Sequence, residues 1–585
     1  MLKKEMTGAE IIMRALKDQG VKIMFGYPGG VTLPLYDEIH RQKHVRHILC
    51  RHEQGCMHAA EGYARSTGKT GVALVTSGPG ATNTVTGLAN ALLDSTPLVC
   101  LTGQVPTQMI GNDAFQEADT TGITRSCTKH NYLVKDTRDL ARIIHEAFHV
   151  ASKGRPGPVV IDLPKDVITG RGDYIEPRKV IHRTYQPRVK GDKTRIEEAV
   201  KLLAGAERPI LYGGGGVINS GPKASKLLQK LAHMTGFPCT LTLMGLGAFP
   251  ASDKQFVGMP GMHGTYEANM AMHGCDVMAC IGARFDDRVT GRLDGFAPNA
   301  KKIHIDIDPS SINKNVMVDV PIVGDVGLVL EDMIKAWKSA RAKVNQQALE
   351  DWWKTIDGWR ARDCLSYKNN GNLTKPQFVL DRLNDLLKGR DVYVSTDVGQ
   401  HQMWASQYIG FEEPNRLLTS GGLGTMGFGL PAAVGAQFAH PKALVVCVTS
   451  ESSIQMNIQE LSTAITHGLP LKILILNNAA LGMVRQWQEL FFDERYSHSL
   501  MECQPDFVKL VEAYGGKGMF VEKPSEVETA LEEMLDHDGL VMLNLRIDPK
   551  ANVFPMITAG AAHNEMIFAA EESEAAEDDE DVVLA

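Results

Sequence analysis

The feature that most restricts this chain is a repeated one. A short run of Val, Ile, Leu and Ala ends in a glycine-bearing or polar turn and passes into a helical stretch. It occurs in "VKIMFGYPGG" (21–30), "GVALVTSGPGATN" (71–83), "LVCLTGQVP" (98–106) and "PVVIDLP" (158–164). It returns in "PILYGGGGVIN" (209–219), "VMACIGARFDD" (277–287) and "KKIHIDIDP" (301–309), and again in "VYVSTDVGQHQMW" (392–404), "LKILILNN" (471–478) and "GLVMLNLRI" (539–547). Strands buried on both faces read as continuous apolar runs, and their alternation with helices marks parallel sheets covered by helices. The expectation is an α/β chain of three doubly wound parallel-sheet domains. At 585 residues it is too long for one core. The polar "PRVKGDKTR" (187–195) and a polar helical stretch around 340–370, ending in "YKNNGNLTKP", divide it. The blocks are 1–185, 190–340 and 372–555, and 560–585 reads as an acidic, disordered tail.

Charge and cysteine usage narrow the function classes. The formal net charge is −8, but residues 571–585 hold eight acids and no base, so the rest of the chain is formally neutral. That leaves no basic surface for nucleic acid, and the tail reads as a solvating end. Ten scattered cysteines with no CxxC pair point to a reducing compartment without disulfides or structural zinc. Thr7-Gly-Ala-Glu10 is a capping-box candidate before an amphipathic helix. No signal-peptide core and no membrane-spanning run is seen, so the expected location is the cytoplasm.

Three stretches could carry chemistry. In "VVCVTSESSIQMNIQEL" (445–461) a strand (444–448) meets a polar turn, a helix at about 455–466 and a second strand (471–476). That βαβ unit would bring Glu451 near Asn477 and Asn478 at one sheet edge, where ligands bind. A carboxylate, a carboxamide oxygen and a backbone carbonyl suit Mg²⁺, and the helix N-terminus favours an anion. A helix-capping glutamate beside a plain Asn-Asn turn is the competing reading. "GGLGTMGFGLPAA" (421–433) holds a formal GxGxxG at Gly422, Gly424 and Gly427, but no strand-opening position and no acid before Glu451, so it is a poor dinucleotide fingerprint. In "CRHEQGCMHAAEGYAR" (50–65), Glu53 opens a stretch whose Ala59, Ala60, Gly62 and Ala64 predict close helix packing. Glu53 is either a paired structural acid or a tuned acid-base group.

Taken in order, "FGYPGG", "HEQG", "TSGPGATN", "DAFQE", "RPGPVVIDLPKDV", "GARFDDRVTG", "TSGGLGTMGFGLPAA" and "LGMVRQWQELFF" carry a family resemblance. Over residues 5 to about 555 the chain resembles the thiamine-diphosphate-dependent acetohydroxyacid (acetolactate) synthase large subunits. The resemblance implies a pyrimidine-binding first domain, an FAD-binding central domain and a diphosphate- and Mg²⁺-binding third domain. It implies decarboxylation of pyruvate and condensation of the two-carbon unit with a second 2-keto acid, pyruvate or 2-oxobutyrate, in branched-chain amino acid biosynthesis. Active sites between chains imply a homodimer or homotetramer, with a small regulatory subunit as a further partner.

By position, the resemblance implies that Glu53 activates the cofactor's aminopyrimidine, with Gly424 against that ring and Met426 propping the cofactor's bend. It gives Gly399, Gln400, His401, Ser452 and Ser453 to the diphosphate, and Glu451, Asn478 and the Ala480 carbonyl to Mg²⁺. Gly30, Phe115, Gln116 and Lys165 would line the substrate channel. Arg288 would bind the acceptor carboxylate, with Met483 and Trp487 in the acceptor pocket. FAD would meet Arg155, Met262, His263, Gly264, Thr265, Arg284, Asp306, Ile307, Asp308 and Asp325. The departure is the metal turn. The family usually reads Gly-Asp-Gly or Gly-Asp-Ala where this chain has Ser450-Glu451-Ser452, and larger residues where it has Ala479-Ala480. Asn478 keeps the family spacing, 27 residues beyond Glu451. A weakened or silent homologue and another thiamine-dependent 2-keto acid decarboxylase are the alternatives, and an NAD-dependent dehydrogenase is a distant one.

Overall fold

The structure is a computed structural model and describes residues 5–569, apart from 178, 179, 181, 183 and 370. It contains three parallel sheets in two compact units. One unit comprises residues 1–186, 387–402 and 418–549, the other 187–386, 403–417 and 550–585.

The first unit opens with helix α1 (Gly8–Asp18), started by the expected capping box: Glu10 N–H donates to Thr7 Oγ1 at 3.2 Å and Thr7 N–H to Glu10 Oε2 at 2.7 Å. The first sheet consists of β1 (Ile23–Gly26), β2 (Arg46–Leu49), β3 (Gly71–Val75), β4 (Leu98–Gln104), β5 (His130–Leu133) and β6 (Pro158–Pro164), ordered β2-β1-β3-β4-β6-β5. Every residue of β3, β4 and β6 is buried, which is why these strands read as unbroken apolar runs.

The second unit's sheet is β7 (Pro209–Gly213), β8 (Cys239–Leu241), β9 (Val277–Ile281), β10 (Lys301–Asp306) and β11 (Val320–Val323), ordered β8-β7-β9-β10-β11. The third sheet is β12 (Val392–Thr396), β13 (Leu417–Leu418), β14 (Leu444–Thr449), β15 (Lys472–Asn477), β16 (Lys517–Val521) and β17 (Val541–Arg546), ordered β13-β12-β14-β15-β17-β16. The first and third sheets share one topology although no sequence repeat is visible. In each sheet the order reverses between its first strand in sequence and the strand beside it (β1/β3, β7/β9, β12/β14), and such switch points open a crevice at the strands' carboxyl ends.

Helix α2 (Glu53–Thr67) crosses α4 (Gly429–Ala439) at backbone contact; α3 (Val85–Leu93) lies beside α2. A Cβ on Gly62 would lie 2.1 Å from the Ala432 carbonyl oxygen, and one on Gly435 1.9 Å from that of Ala59. The small-residue run of α2 therefore does what its composition predicts.

Two expectations change. The helix placed at about 455–466 is instead a 3-10 turn (Ile454–Asn457) followed by the seven-residue α5 (Glu460–Thr466). Gln455 Nε2 donates to the Glu451 carbonyl and Asn457 Nδ2 to that of Gly427, so side chains take carbonyls and the helix starts late. The start of the proposed tail is also ordered: Met556–Ile557 pairs antiparallel with Met566–Ile567, and His563 is buried with Nε2 2.5 Å from the Val289 carbonyl. The acidic run 571–585 lies outside the described residues. Among the described residues no helix is long and apolar enough to cross a membrane.

Candidate active site

The β12/β14 crevice holds the altered turn. Glu451 is fully buried, and it does not cap a helix. Its Oε1 accepts Ala480 N–H from the loop after β15 at 2.9 Å, and its Oε2 has no partner. Burial pushes its carboxyl up to about 7, against the Ala480 amide and the charge of Arg546. The serines close the turn on itself: Ser453 N–H donates to Ser450 Oγ at 3.2 Å, and Ser453 Oγ donates to the Val398 carbonyl on the crevice's other side at 3.2 Å. Asn478 Nδ2 donates to Gln400 Oε1 at 3.0 Å, and Gln400 Nε2 to Gln486 Oε1 at 2.9 Å. That chain ties Asn478 to helix α6 (Gly482–Phe491), where Met483 and Trp487 stand one turn apart, with Trp487 edge-on to Phe491. Ala479 has φ +57°, a left-handed conformation that turns the chain so that Ala480 faces Glu451. His401 is buried with Nε2 unpartnered, and burial lowers its pKa to about 3. An unpartnered buried carboxylate oxygen beside a carboxamide and backbone groups fits a hard divalent cation.

The glycine loop 421–427 abuts this crevice. Asp397, buried at the end of β12, accepts Gly427 N–H at 2.8 Å and Gly429 N–H at 3.1 Å, so the loop's far end is bound to the strand. Burial raises the Asp397 pKa to about 6 despite those amides. Gly424 and Gly427 have φ +72° and +88°, which glycine adopts without strain.

The first sheet's carboxyl edge gathers its own candidates. Glu53 is the first residue of α2, and its Oε2 accepts Asn83 Nδ2 at 3.0 Å from the loop after β3. Gly78 of that loop, φ +57°, packs against the backbone of Gln116, itself at φ +59°. Gly30 begins a 3-10 turn after β1 with open space above it, Lys165 follows β6 and is exposed, and Phe115 is 88% exposed.

In the second unit, the β7/β9 crevice is built of backbone. Gly216 N–H donates to the Gly282 carbonyl at 2.9 Å, and a Cβ on Gly214 would lie 2.5 Å from that oxygen. Around it stand Arg284, paired with Asp286 at 2.5 Å, and Asp306, which accepts Asp308 N–H at 2.8 Å. Met262 N–H donates to the Arg288 carbonyl at 2.8 Å, and Thr265 caps the helix Tyr266–Gly274 after Gly264. His263 is buried with Nδ1 unpartnered and its pKa lowered to about 4 by burial. Asp308 and Asp325 cap Ser310 and Leu328 N–H groups, and Ile307 lies between the acids of this edge. Arg155 lies in the first unit, where its Nε donates to Ser95 Oγ at 2.8 Å.

Sequence reading missed several of these groups. Asp397, Gln486 and the glycines 214–216 gave only local signals of a turn or a core, and their part comes from positions that the sheets bring together.

Comparison with known proteins gives the chain's family. The N-terminal TPP binding domain of thiamine pyrophosphate enzymes matches residues 6–123, the central domain 196–333 and the C-terminal TPP binding domain 397–545. These define a three-sheet thiamine pyrophosphate enzyme. The chain is 50% identical over 566 residues to the acetolactate synthase isozyme 3 large subunit of Escherichia coli, covering 96% of this chain and 98% of that one. It is 49% identical to the acetolactate synthase large subunit of Haemophilus influenzae, covering 98% and 100%, and 47% to the isozyme 2 large subunit of E. coli, covering 96% and 99%. The chain belongs to the acetolactate synthase large-subunit family.

Proposed function

We propose that this catalytic subunit decarboxylates pyruvate and joins the two-carbon unit to a second 2-keto acid, pyruvate or 2-oxobutyrate, in branched-chain amino acid synthesis in the cytoplasm. The observation that carries the site assignment is Glu451, buried at the switch point with Oε2 unpartnered. Thiamine diphosphate, when bound, supplies the carbon nucleophile. Glu451 Oε2, Asn478 and the Ala480 carbonyl would hold Mg²⁺, and Gly399, Gln400, His401, Ser452 and Ser453 the diphosphate. Glu53 would hold and return a proton at the cofactor's aminopyrimidine, with Asn83 fixing the carboxylate. Gly424 and Met426 would support that ring. Gly30, Phe115, Gln116 and Lys165 would guide substrate, and Arg288 would pair with the acceptor carboxylate through its planar guanidinium, with Met483 and Trp487 beside the acceptor's apolar end. FAD would sit in the backbone-lined β7/β9 crevice, as a structural group. The partners are a second copy of this chain and a small regulatory subunit.

One observation favours a weakened version of this enzyme. Ser453 Oγ donates to the Val398 carbonyl across the crevice, and a diphosphate taking the Ser453 hydroxyl would have to compete with that bond. The test is acetolactate formation from pyruvate, titrated against thiamine diphosphate and Mg²⁺ with FAD present. Activity that saturates only at raised cofactor supports the weakened synthase. No product from a folded, FAD-loaded protein at any cofactor concentration would overturn the reading.

A further inference from the structure

The glycine loop is held from the first sheet's helices at its start and left open at its tip. Asp94, the capping residue at the end of α3, has a fully buried side chain. Its Oδ1 accepts Gly422 N–H at 2.6 Å and its Oδ2 accepts Gly421 N–H at 3.3 Å. Arg65 of α2 pairs with Asp94 Oδ2 at 3.1 Å and donates also to the Thr419 carbonyl. One turn back on α3, Asn90 Oδ1 accepts the hydroxyls of Ser420 at 2.5 Å and Thr425 at 3.0 Å. Asn90 Nδ2 donates to Glu61 Oε2 at 2.7 Å, and Glu61 Oε1 meets His58 Nδ1 at 2.9 Å. Asn90, Glu61 and His58 are wholly buried. The tip differs: Leu423 is 42% exposed, and a Cβ on Gly424 would find its nearest neighbour only at 3.9 Å.

We infer that Asp94 and Asn90 are positioning residues for the pyrimidine half of the cofactor, acting through the loop that presents Gly424 and Met426. A buried network with its hydrogen bonds made is stiff, and deleting one member leaves its partners unsatisfied in a low-dielectric site. Residues i and i+4 on α3 grip the loop's first residues and Thr425, so the tip is anchored on both sides. The groups assigned to the diphosphate, 399–401, 450–453 and 478, make none of these bonds, although Gln402 beside them donates from Nε2 to the Ser420 carbonyl at 3.0 Å. The inference rests on the thiamine-enzyme reading above.

The test uses the full-length, FAD-loaded chain and its variants Asp94→Ala, Asp94→Asn and Asn90→Ala. Two affinities are measured at saturating Mg²⁺: one for thiamine diphosphate, one for inorganic diphosphate, which lacks the pyrimidine. Asp94→Ala is expected to weaken thiamine diphosphate roughly tenfold or more, while inorganic diphosphate stays within about twofold of wild type. Asn90→Ala should behave alike. Asp94→Asn, which keeps the volume and one acceptor, should lose less, and it carries the test if Asp94→Ala does not fold. Unchanged affinity for thiamine diphosphate, or equal weakening of both ligands, would overturn the inference and leave these residues as plain interhelical packing. A wild-type chain that binds no thiamine diphosphate would instead overturn the functional reading, and this inference with it.

Discussion

Glu451 Oε1 accepts the amide of Ala480 at 2.9 Å, while Glu451 Oε2, equally buried, accepts nothing. One oxygen thus braces the loop after β15 and the other is left for a ligand. Glu451→Gln keeps the brace, since its carbonyl oxygen still accepts, and removes the charge. Affinity for thiamine diphosphate at fixed Mg²⁺ should fall roughly a hundredfold, with little change in thermal stability at about pH 5, where the wild-type carboxyl is protonated too. Wild-type affinity in Glu451→Gln would place the metal elsewhere.

The same burial predicts a pH dependence. Burial raises the Glu451 pKa to about 7, above its unfolded value near 4.5. The folded chain then binds more protons than the unfolded one in that interval. The contribution is fully present below the unfolded pKa and is lost as pH rises through about 7. Mg²⁺ needs the ionised form, so its affinity should rise over the same interval. Denaturant midpoints of metal-free protein between pH 5 and 8 should fall with a slope that Glu451→Gln lacks, and added Mg²⁺ should stabilise more at pH 8 than at pH 6.

Glu53 accepts Asn83 Nδ2 at 3.0 Å, which fixes a carboxylate at the mouth of the first sheet's crevice. In Glu53→Gln, hydrogen–deuterium exchange at the thiazolium C2 of bound cofactor should slow by roughly 10²-fold or more. Asn83→Ala should slow it less, since the carboxylate remains but is no longer oriented. Exchange at the wild-type rate in Glu53→Gln would remove Glu53 from the proton's path.

A glycine inside the α2/α4 crossing and one in an open helix face have opposite predicted outcomes on substitution. Gly435→Ala puts a Cβ 1.9 Å from the Ala59 carbonyl oxygen, backbone that cannot rotate away. It should cost about 3 kcal/mol or more, read as a drop in denaturation midpoint. Gly358, in the helix Gln346–Arg360, has open space beyond its Cα, and Gly358→Ala should stabilise by about 0.5–1 kcal/mol.

The strands were legible because their residues are buried on both faces, and Glu451 with Asn478 because strand–turn–helix–strand spacing puts both at one edge. The close packing of α2 showed in Ala59, Ala60 and Gly62. Asp94 and Asn90 were not legible: they sit in an unremarkable apolar helix, and the amides and hydroxyls they grip lie 327, 328, 330 and 335 residues further on. The helix expected from about 455 failed for a related reason, since Asn457 spends its amide on Gly427, which periodicity does not register.

Where Gly62 meets Ala432 and Gly435 meets Ala59, main chain touches main chain. Such a joint has no rotamers to exchange and no slack to take up. Helix α2, which begins at Glu53, and helix α4, which begins two residues after Gly427, are therefore one rigid beam with two ends. The spacing between the acid and the glycine loop of one chain is a fixed gauge of the fold.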